Sequence, residues 1–435
     1  MREMKDSGIQ WLREYPANWN LIKIKYCLKE RVEKNNPVRT TDILSLTAKQ
    51  GVIPYDQKEG GGNKPKEDVS AYRLAYPGDI VMNSMNILSG SVGLSNYFGC
   101  VSPVYYMLRP IDKSEDVRFY NYIFQSTVFQ RSLYGLGNGI LIKESGNGKL
   151  NTIRMRIPID KFGGLFIPVA PIQEQKKIAD FLDAKCSEID ALTADIQTQI
   201  DTLEQYKRSV ITEAVTKGMN PDVEMKDSGT PWCPLIPTHW KYANPKALFT
   251  QRLDRAYPGD KQLTASQEYG VIYQDEYMEL TGTKIVTVMK DFSILKHVEP
   301  NDFVISMRSF QGGLEYSERR GSISSAYVML IPNNEYVYPP FYRWFFKSSK
   351  YINAIQSTSN LVRDGQAMRY ANFAQVPLFI IPLDEQKQIS EYLDEKVRKI
   401  DEVLKIKKNQ LEILAEYKKS LIYEYVTGKK EVPAI

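Results

Sequence analysis

Residues 4–19 read MKDSGIQWLREYPANW, and residues 225–240 read MKDSGTPWCPLIPTHW. Both fit the pattern MKDSG-x-x-W-x-x-x-x-P-x-x-W without a gap. Weaker similarities follow in the same order through both halves of the chain. A period of more than 200 residues is too long for a solenoid. The sequence therefore predicts one module used twice.

Each half ends in a second repeated segment. Residues 171–183 read PIQEQKKIADFLD, and residues 382–394 read PLDEQKQISEYLD. Proline followed by an early glutamate is typical of a helix start. Neither segment contains an interior Gly or Pro for over 40 residues. We therefore predict two long helices.

Apolar residues recur every seven positions in both helices, in the same register. A strict heptad repeat predicts a coiled coil, whereas a single amphipathic helix on a domain core would not require one. The predicted coiled-coil core is Ile178, Leu182, Ile189, Leu192, Ile196 and Leu203 in the first helix, and Ile389, Leu393, Ile400, Val403, Leu414 and Leu421 in the second.

Two lysines within this repeat predict the helix orientation. Lys185 and Lys396 occupy equivalent d positions, so parallel helices would bring two ammonium groups together in a partly dry seam, which costs several kcal/mol. In an antiparallel pair, Lys185 would lie near Leu414, within reach of Glu412 or Glu416. We therefore predict an antiparallel intramolecular coiled coil, ~60 Å long at ~1.5 Å per residue.

The globular stretches contain both strand-like and helix-like runs, which indicates an α+β fold with two mixed α/β domains related by a pseudo-twofold axis. The predicted divisions are 1–168 and 218–380 for the two globular domains, 169–217 and 381–428 for the two helices, and 429–435 for a tail.

Composition limits the possible functions. The chain has 435 residues, 43% hydrophobic and 25% charged, which is ordinary for a globular protein. No 18-residue apolar run or signal peptide is visible, so we expect no membrane span. The four cysteines are far apart, which favours free thiols in a reducing cytoplasm. With only two histidines, we expect no histidine metal cage.

Charge and motifs argue for binding rather than catalysis. Residues 1–165 carry 23 Lys and Arg against 16 Asp and Glu, and a basic domain gives weak support for a nucleic-acid partner. The chain lacks the GxxxxGK[ST] phosphate-binding loop. It also lacks the Asn/Asp-Pro-Pro-Tyr motif of adenine methyltransferases. No acidic cluster recurs in both halves, so we expect no catalytic function.

Together these motifs resemble one known family. Two differing domains, each opening Gly-x-x-Trp-x-x-x-x-Pro-x-x-Trp and each followed by a helix opening Pro-x-x-Glu-Gln, resemble the specificity (S) subunits of type I restriction–modification enzymes. The first helix departs from the family because Ile-Pro-Val-Ala-Pro replaces the common double proline before it.

The resemblance implies a non-catalytic cytoplasmic subunit whose two target-recognition domains bind double-stranded DNA. It implies two methyltransferase (M) subunits that use S-adenosylmethionine, and optional restriction (R) subunits that use ATP and Mg. No cofactor is then expected in this chain itself. The alternative is a coiled-coil scaffold with two protein-binding domains.

Base reading requires Arg, Lys, Asn or Gln on loops, and phosphate contact requires Lys or Arg. We favour loops that recur at equivalent places in both halves, although an ordinary exposed polar loop is the alternative for each residue. The candidates are Lys49, Gln50, Asn83, Asn86, Lys143, Asn147, Lys149 and Arg154 in the first half, and Gln267, Arg308, Gln311, Arg363, Gln366 and Arg369 in the second.

Overall fold

The computed structural model describes residues 2–47, 50–58, 64–137, 156–285, 287, 292–307, 309–358 and 368–433. The chain forms two compact units. Unit 1 comprises Met1–Ile196 with Asn409–Ile435, and unit 2 comprises Gln197–Lys408. Each unit contains one globular domain and half of each long helix. The functional domain boundaries given above stay a prediction.

The first half of the chain contains twelve strands and five α-helices within its described residues. They are β1 (Met4–Asp6), β2 (Glu14–Pro16), β3 (Asn20–Lys23), α1 (Ile24–Cys27), β4 (Leu28–Arg31), β5 (Leu44–Thr47), β6 (Gly51–Pro54), β7 (Arg73–Ala75), β8 (Ile80–Asn83), β9 (Val92–Leu94), β10 (Gly99–Val101), β11 (Tyr105–Pro110), α2 (Val117–Gln125), α3 (Thr127–Ser132), α4 (Ile159–Gly163), β12 (Phe166–Val169) and α5 (Ile172–Lys217).

An antiparallel sheet in the order β4-β11-β8-β9 organises the globular domain of unit 1. β8 is buried along its whole length, as expected for a central strand with both faces covered. The helix α2 packs Phe119 and Phe124 into the core, where Phe119 makes an edge contact with Trp19 at 5.9 Å between ring centroids. The hairpin β5–β6 lies beside this sheet and contacts β8 and β9.

The second half repeats this order. Its elements are β13 (Met225–Asp227), β14 (Leu235–Pro237), β15 (Lys241–Ala243), α6 (Pro245–Leu248), β16 (Phe249–Arg252), β17 (Leu263–Ser266), β18 (Gly270–Tyr273), α7 (Gln274–Thr281), β19 (Lys296–Val298), β20 (Phe303–Ile305), α8 (Ser309–Gly312), β21 (Glu315–Tyr316), β22 (Gly321–Ile323), β23 (Val328–Pro332), α9 (Pro339–Phe345), α10 (Ser349–Ser357), α11 (Tyr370–Phe373), β24 (Leu378–Ile380) and α12 (Leu383–Val426).

The sheet of unit 2 has the order β16-β23-β20-β21, equivalent to that of unit 1. The hairpin β17–β18 corresponds to β5–β6. One difference follows this hairpin: unit 1 has a single 3₁₀ turn at Tyr55–Gln57, whereas unit 2 has the acidic helix α7. The duplicated module is therefore real, and it differs most around the hairpins.

The long helices α5 and α12 run antiparallel within each unit. In unit 1, Phe181 stacks on Tyr425 at 4.5 Å, and Asp190 pairs with Lys418 at 2.6 Å. The partner in α12 thus moves backward along the chain as α5 advances. In unit 2, Lys207 pairs with Asp401 at 2.6 Å. The predicted antiparallel orientation is confirmed.

The predicted core of the coiled coil is only half right. The lane through Leu182, Ile189 and Ile196 is buried, and so is its repeat through Leu393 and Ile400. A second buried lane lies four residues after these positions. The heptad pattern had placed it three residues after them, at position d. The buried residues of this second lane include Cys186, Ile200, Val397 and Leu404. Leu192 and Val403 were predicted to be core residues and are instead 46% and 41% exposed.

The lysine contacts used to predict orientation were also wrong. Ile178 and Ile389, the d residues nearest the helix starts, are buried as predicted, but further along the helices position d faces outward. Lys185, at a d position, therefore does not enter the seam near Leu414. Its ammonium group instead pairs with Glu188 on its own helix at 2.7 Å. Lys396 lies over the ring of Tyr206 at 5.6 Å. The orientation was right, but the repulsion argument for it does not apply to exposed lysines.

Cys27, Cys100, Cys186 and Cys233 are free and buried, as the wide spacing predicted. Within the described ranges, no helix is long and apolar enough to cross a bilayer. No group of three or more His, Cys, Asp or Glu in those ranges is arranged to hold a metal ion.

Candidate nucleic-acid interface

The repeated Trp and Glu join each globular domain to its helix. In unit 1, the indole nitrogen of Trp19 donates to Oε2 of Glu174 at 2.9 Å. In unit 2, Trp240 donates to Oε2 of Glu385 at 3.0 Å. Both tryptophans are almost fully buried, so each indole nitrogen requires an acceptor. This contact explains why the second Trp and the helix-starting Glu occur together in both halves.

The glutamine that follows each Glu fixes a second element. Gln175 is buried, and its Oε1 accepts from the backbone N–H of Asp116, at the start of α2, at 3.0 Å. Gln386 is buried likewise and accepts from the N–H of Tyr338, at the start of α9, at 2.8 Å. Both amide groups also donate to a backbone carbonyl just before their own helix. The Pro-x-x-Glu-Gln motif therefore sets the direction in which the helix leaves its domain.

A buried Arg–Asp pair holds an equivalent turn in both domains. Arg31 forms a bidentate contact with Asp79, and Arg252 does the same with Asp302, at distances from 2.6 to 3.2 Å. Each Asp immediately precedes a central strand, β8 or β20. Burial raises the pKa of Asp302, although the Arg252 guanidinium opposes this change. The pair joins the end of β4 to the turn before β8 in unit 1, and the end of β16 to the turn before β20 in unit 2.

The first cleft lies in unit 1 between the β5–β6 hairpin and the turn after β8. It has a volume of about 690 Å³. Asn83 and Asn86 lie on its wall, together with the cations Lys58 and Lys64. Three tyrosines also line the cleft: Tyr55, Tyr72 and Tyr105. Lysines next to aromatic rings and amides form a surface suited to phosphates and bases.

The side chains in this cleft differ in availability. Asn83 is 8% exposed, and its Oδ1 accepts from the N–H of Met85 at 3.0 Å, which closes the turn. Asn86 is half-buried, and Lys64 is exposed. The ammonium group of Lys58 lies 5.8 Å from the ring centroid of Tyr55. Asn83 thus shapes the cleft, and Asn86 and the lysines present polar groups to its opening.

The second cleft, in unit 2, has the equivalent hairpin on its wall and a volume of about 590 Å³. Gln267, at the tip of β17–β18, lies directly over Gly312, where a Cβ would come within 2.5 Å of the Gln267 Nε2. The structure therefore brings Gln267 next to the short helix α8, which carries Gln311. Gln267 and Gln311 belong to two different groups of predicted site residues, each of which was matched to a loop in the first half, and their role in binding stays a prediction.

The second cleft is lined by charges of both signs, five carboxylates and four cations, whereas the charged residues that line the first cleft are two lysines. Glu315 is 2% exposed and contacts the ammonium group of Lys347 at 2.7 Å. Burial raises the pKa of Glu315, while Lys347 opposes that change. Arg319 pairs with Glu276 of α7 at 3.5 Å. Since carboxylates accept from cytosine amino groups and cations donate to guanine, the two clefts are suited to different bases.

Several predicted site residues are exposed on described loops. Gln50 and Gln267 lie at the two hairpin tips, Gln311 lies on α8, and Arg369 immediately precedes α11. Eight candidates lie outside the described residues and stay predictions: Lys49, Lys143, Asn147, Lys149, Arg154, Arg308, Arg363 and Gln366.

Sequence analysis missed the lysines and tyrosines of the first cleft. Lys58 and Lys64 flank the Gly-rich run Gly60-Gly61-Gly62, and this flanking by cations was the available signal. Requiring an equivalent in the other half excluded them, because the region after the hairpin is where the two domains differ most.

Comparison with known proteins identifies relatives. No family model matches the chain. The putative type I restriction enzyme MjaX specificity subunit of Methanocaldococcus jannaschii is 25% identical over 274 residues, covering 62% of this chain and 60% of that protein. The chain therefore spans about 60% of the length of this curated relative. The predicted resemblance to type I specificity subunits is confirmed by this homologue.

Solved structures show the same fold. A chain from the structure described as the structural basis underlying complex assembly and conformational transition of the type I R-M system matches with a TM-score of 0.67 at 12% identity, covering 96% of this chain and 99% of that one. The crystal structure of the HsdS subunit from Thermoanaerobacter tengcongensis matches with a TM-score of 0.47 at 12% identity, covering 96% of this chain and 98% of that one. The first match confirms the predicted fold.

Proposed function

We propose that this chain is the sequence-specific DNA-binding subunit of a type I restriction–modification system. The observation that carries the proposal is that the same joint, with Trp bonded to Glu and a buried Gln beside it, fixes each of two differing domains to a long helix. Each domain then presents a hairpin tip and a polar cleft. The homologous specificity subunit supports the same function.

Two different domains imply a bipartite, asymmetric DNA site. Each domain reads its own short half-site, and the bases between the half-sites are not read. The first cleft is basic and rich in tyrosine, whereas the second is rich in carboxylates, so the two half-sites differ in sequence. Phosphate contacts from lysines set the register, and amides, arginines and carboxylates select bases.

The chain itself supplies recognition and positioning, and its partners supply the chemistry. Two M subunits hold S-adenosylmethionine and transfer the methyl group. Where R subunits join the complex, they use ATP and Mg to cut DNA. This chain carries no cofactor and positions both activities on the DNA that it has bound.

The outward lane of the long helices supports a protein partner. Leu192 and Tyr417 are 46% and 53% exposed in unit 1, and their repeat equivalents Val403 and Tyr206 are 41% and 46% exposed in unit 2. Large apolar side chains at equivalent exposed positions in both repeats are typical of an interaction surface. We assign this lane to contact with the M subunits.

Methylome sequencing of a host that carries this chain with its M partner tests the proposal. The expected result is methylation at one gapped, asymmetric site, together with purified-complex binding to that DNA that weakens steeply with salt. Protein binding that is insensitive to salt, with no methylated motif, would instead support a scaffold.

A further inference from the structure

Unit 1 closes one end of its helix pair with an aromatic stack. The ring of Tyr425, on α12, lies 4.5 Å from the ring of Phe181, on α5, at an angle of 36°. Tyr425 is 6% exposed and belongs to the main core of unit 1. The ring of Tyr425 therefore fills the space between the helix end and the globular domain.

Unit 2 has the same site without the filling ring. The repeat equivalents of Phe181 and Tyr425 are Tyr392 and Ala214. A methyl group is much smaller than a phenol. Ala214 is 3% exposed in the core of unit 2, and with Tyr392 it lines a groove of about 760 Å³. Tyr392 is 40% exposed. This groove, lined by Ala214, Tyr392 and their neighbours, is called the aromatic slot.

The rim of the aromatic slot is also more apolar than the equivalent surface of unit 1. Leu235 stands where unit 1 has the exposed Glu14, and it is 57% exposed. Met219 follows Gly218 as Lys429 follows Gly428, and it is 46% exposed. Two charged rim positions of unit 1 are therefore apolar in unit 2, next to the missing ring.

The charges that remain at the slot cancel each other. Lys217 pairs with Glu213 at 3.0 Å on the same helix. The rim therefore presents no net charge for a phosphate or a carboxylate to recognise. An uncharged, flat, largely apolar group matches both the volume and the electrostatics of the slot.

We propose that the aromatic slot of unit 2 receives a tyrosine or phenylalanine side chain from one M subunit, in the position that Tyr425 occupies in unit 1. This inference rests on the proposed function, which supplies the partner. Both long helices line the slot, with Val210 and Ala214 on α5 and Tyr392 on α12. A buried aromatic anchor at such a site is a typical binding hot spot.

The test uses the full chain with its M partner and the variant Ala214→Tyr, which supplies the missing ring from within. Stoichiometry by native mass spectrometry and affinity by titration are compared with wild type. We expect one M subunit to bind at least about tenfold more weakly, while the other is unchanged. Gln205→Tyr, at an exposed position of the same helix that does not lie on the face of Tyr206, is the matched control and should bind like wild type.

A second measurement detects the slot without the partner. p-Cresol, which has the size of a tyrosine side chain, should bind wild-type protein in ligand-observed NMR and fail to bind Ala214→Tyr. Equal affinity of both M subunits for wild type and Ala214→Tyr would overturn the inference and leave the function standing. Failure of the wild-type chain to bind any M subunit would instead refute the proposed function.

Discussion

At the scale of single residues, Glu315 is a buried carboxylate of unit 2. It is 2% exposed and forms an ion pair with Lys347 at 2.7 Å. Breaking a buried pair costs more than the pair contributes, because one charge is left without compensation. We predict that Lys347→Ala destabilises unit 2 by about 3 kcal/mol near neutral pH.

This loss should depend on pH. Burial already raises the pKa of Glu315, and removing Lys347 removes a charge that opposes the rise. A carboxyl with a higher pKa in the folded state favours folding at low pH, so the cost of Lys347→Ala should shrink as pH falls through that pKa. Urea unfolding at about pH 7.5 and about pH 5 measures the difference. Lys350→Ala, an exposed lysine of α10, is the control; equal losses at both pH values would contradict the prediction.

The lysines of the first cleft give a second prediction at this scale. Lys58 and Lys64 line the cleft beside Tyr55. If they contact phosphates, replacing both with Ala weakens binding to all sequences alike and lowers the slope of log affinity against log salt by roughly one per lysine. Lys113→Ala, in the loop between β11 and α2, should leave the slope unchanged. A loss confined to one DNA sequence would assign base reading to these lysines instead.

At the scale of elements, the long helices carry apolar residues both in the buried seam and on the exposed surface. Ile189 is 6% exposed and lies in the seam, whereas Leu192 on the same helix is 46% exposed. We predict that Ile189→Asp lowers the free energy of unfolding by about 3–5 kcal/mol. Leu192→Asp should change it by no more than about 0.5 kcal/mol.

The equivalent pair in unit 2, Ile400→Asp and Val403→Asp, repeats the comparison, with urea unfolding as the measurement. Equal losses at both positions of either pair would show that the outward lane is buried in solution. Such a result would restore the core that the heptad pattern first predicted.

The long helices also show how far sequence alone can go. The seven-residue period, the helix bounds near Ile172 and Leu383, and the antiparallel orientation were predictable, because they depend on local propensity and periodicity. The choice of the second lane was not. Apolar residues occur both three and four positions after the first lane, and only the docking of Cys186 and Val397 against the partner helix shows which one is buried.

The same distinction applies to the candidate site. Loops that recur in both halves could be found from the sequence, but the proximity of Gln267 to α8 was not predicted and is visible only in the structure. The cations of the first cleft, such as Lys58, were not predictable by this route. Under the proposed function the two domains bind different sequences and their recognition surfaces differ, so the search for equivalents excluded residues of this kind.

At the scale of the whole molecule, duplication separates what must be shared from what must differ. The Trp–Glu bond, the buried Gln and the Arg–Asp pair are the same in both units. The segments after the hairpins differ, with a 3₁₀ turn in one and α7 in the other. Under the proposed function, the identical joints let one kind of partner assemble on both halves, and the different clefts let each half read its own bases.

This separation leads to a prediction about the unread gap. Seven residues that keep the heptad pattern are inserted after Ile196 in α5, and seven more after Lys408 in α12, where the two compact units divide. One heptad preserves the buried lanes and adds ~10 Å of helix. Double-stranded DNA rises ~3.4 Å per base pair, so ~10 Å of helix corresponds to about three base pairs. The gap should lengthen by that amount, and each half-site should stay the same.

Methylome sequencing reads the half-sites and the gap in one experiment. Inserting seven residues into α5 alone is the control, because it breaks the pairing of the two helices and should abolish methylation rather than alter the spacing. Loss of one half-site in the double insertion would mean that the domains do not read DNA independently. An unchanged gap with both half-sites retained would mean that the M subunits set the spacing, and the helices would then serve assembly alone.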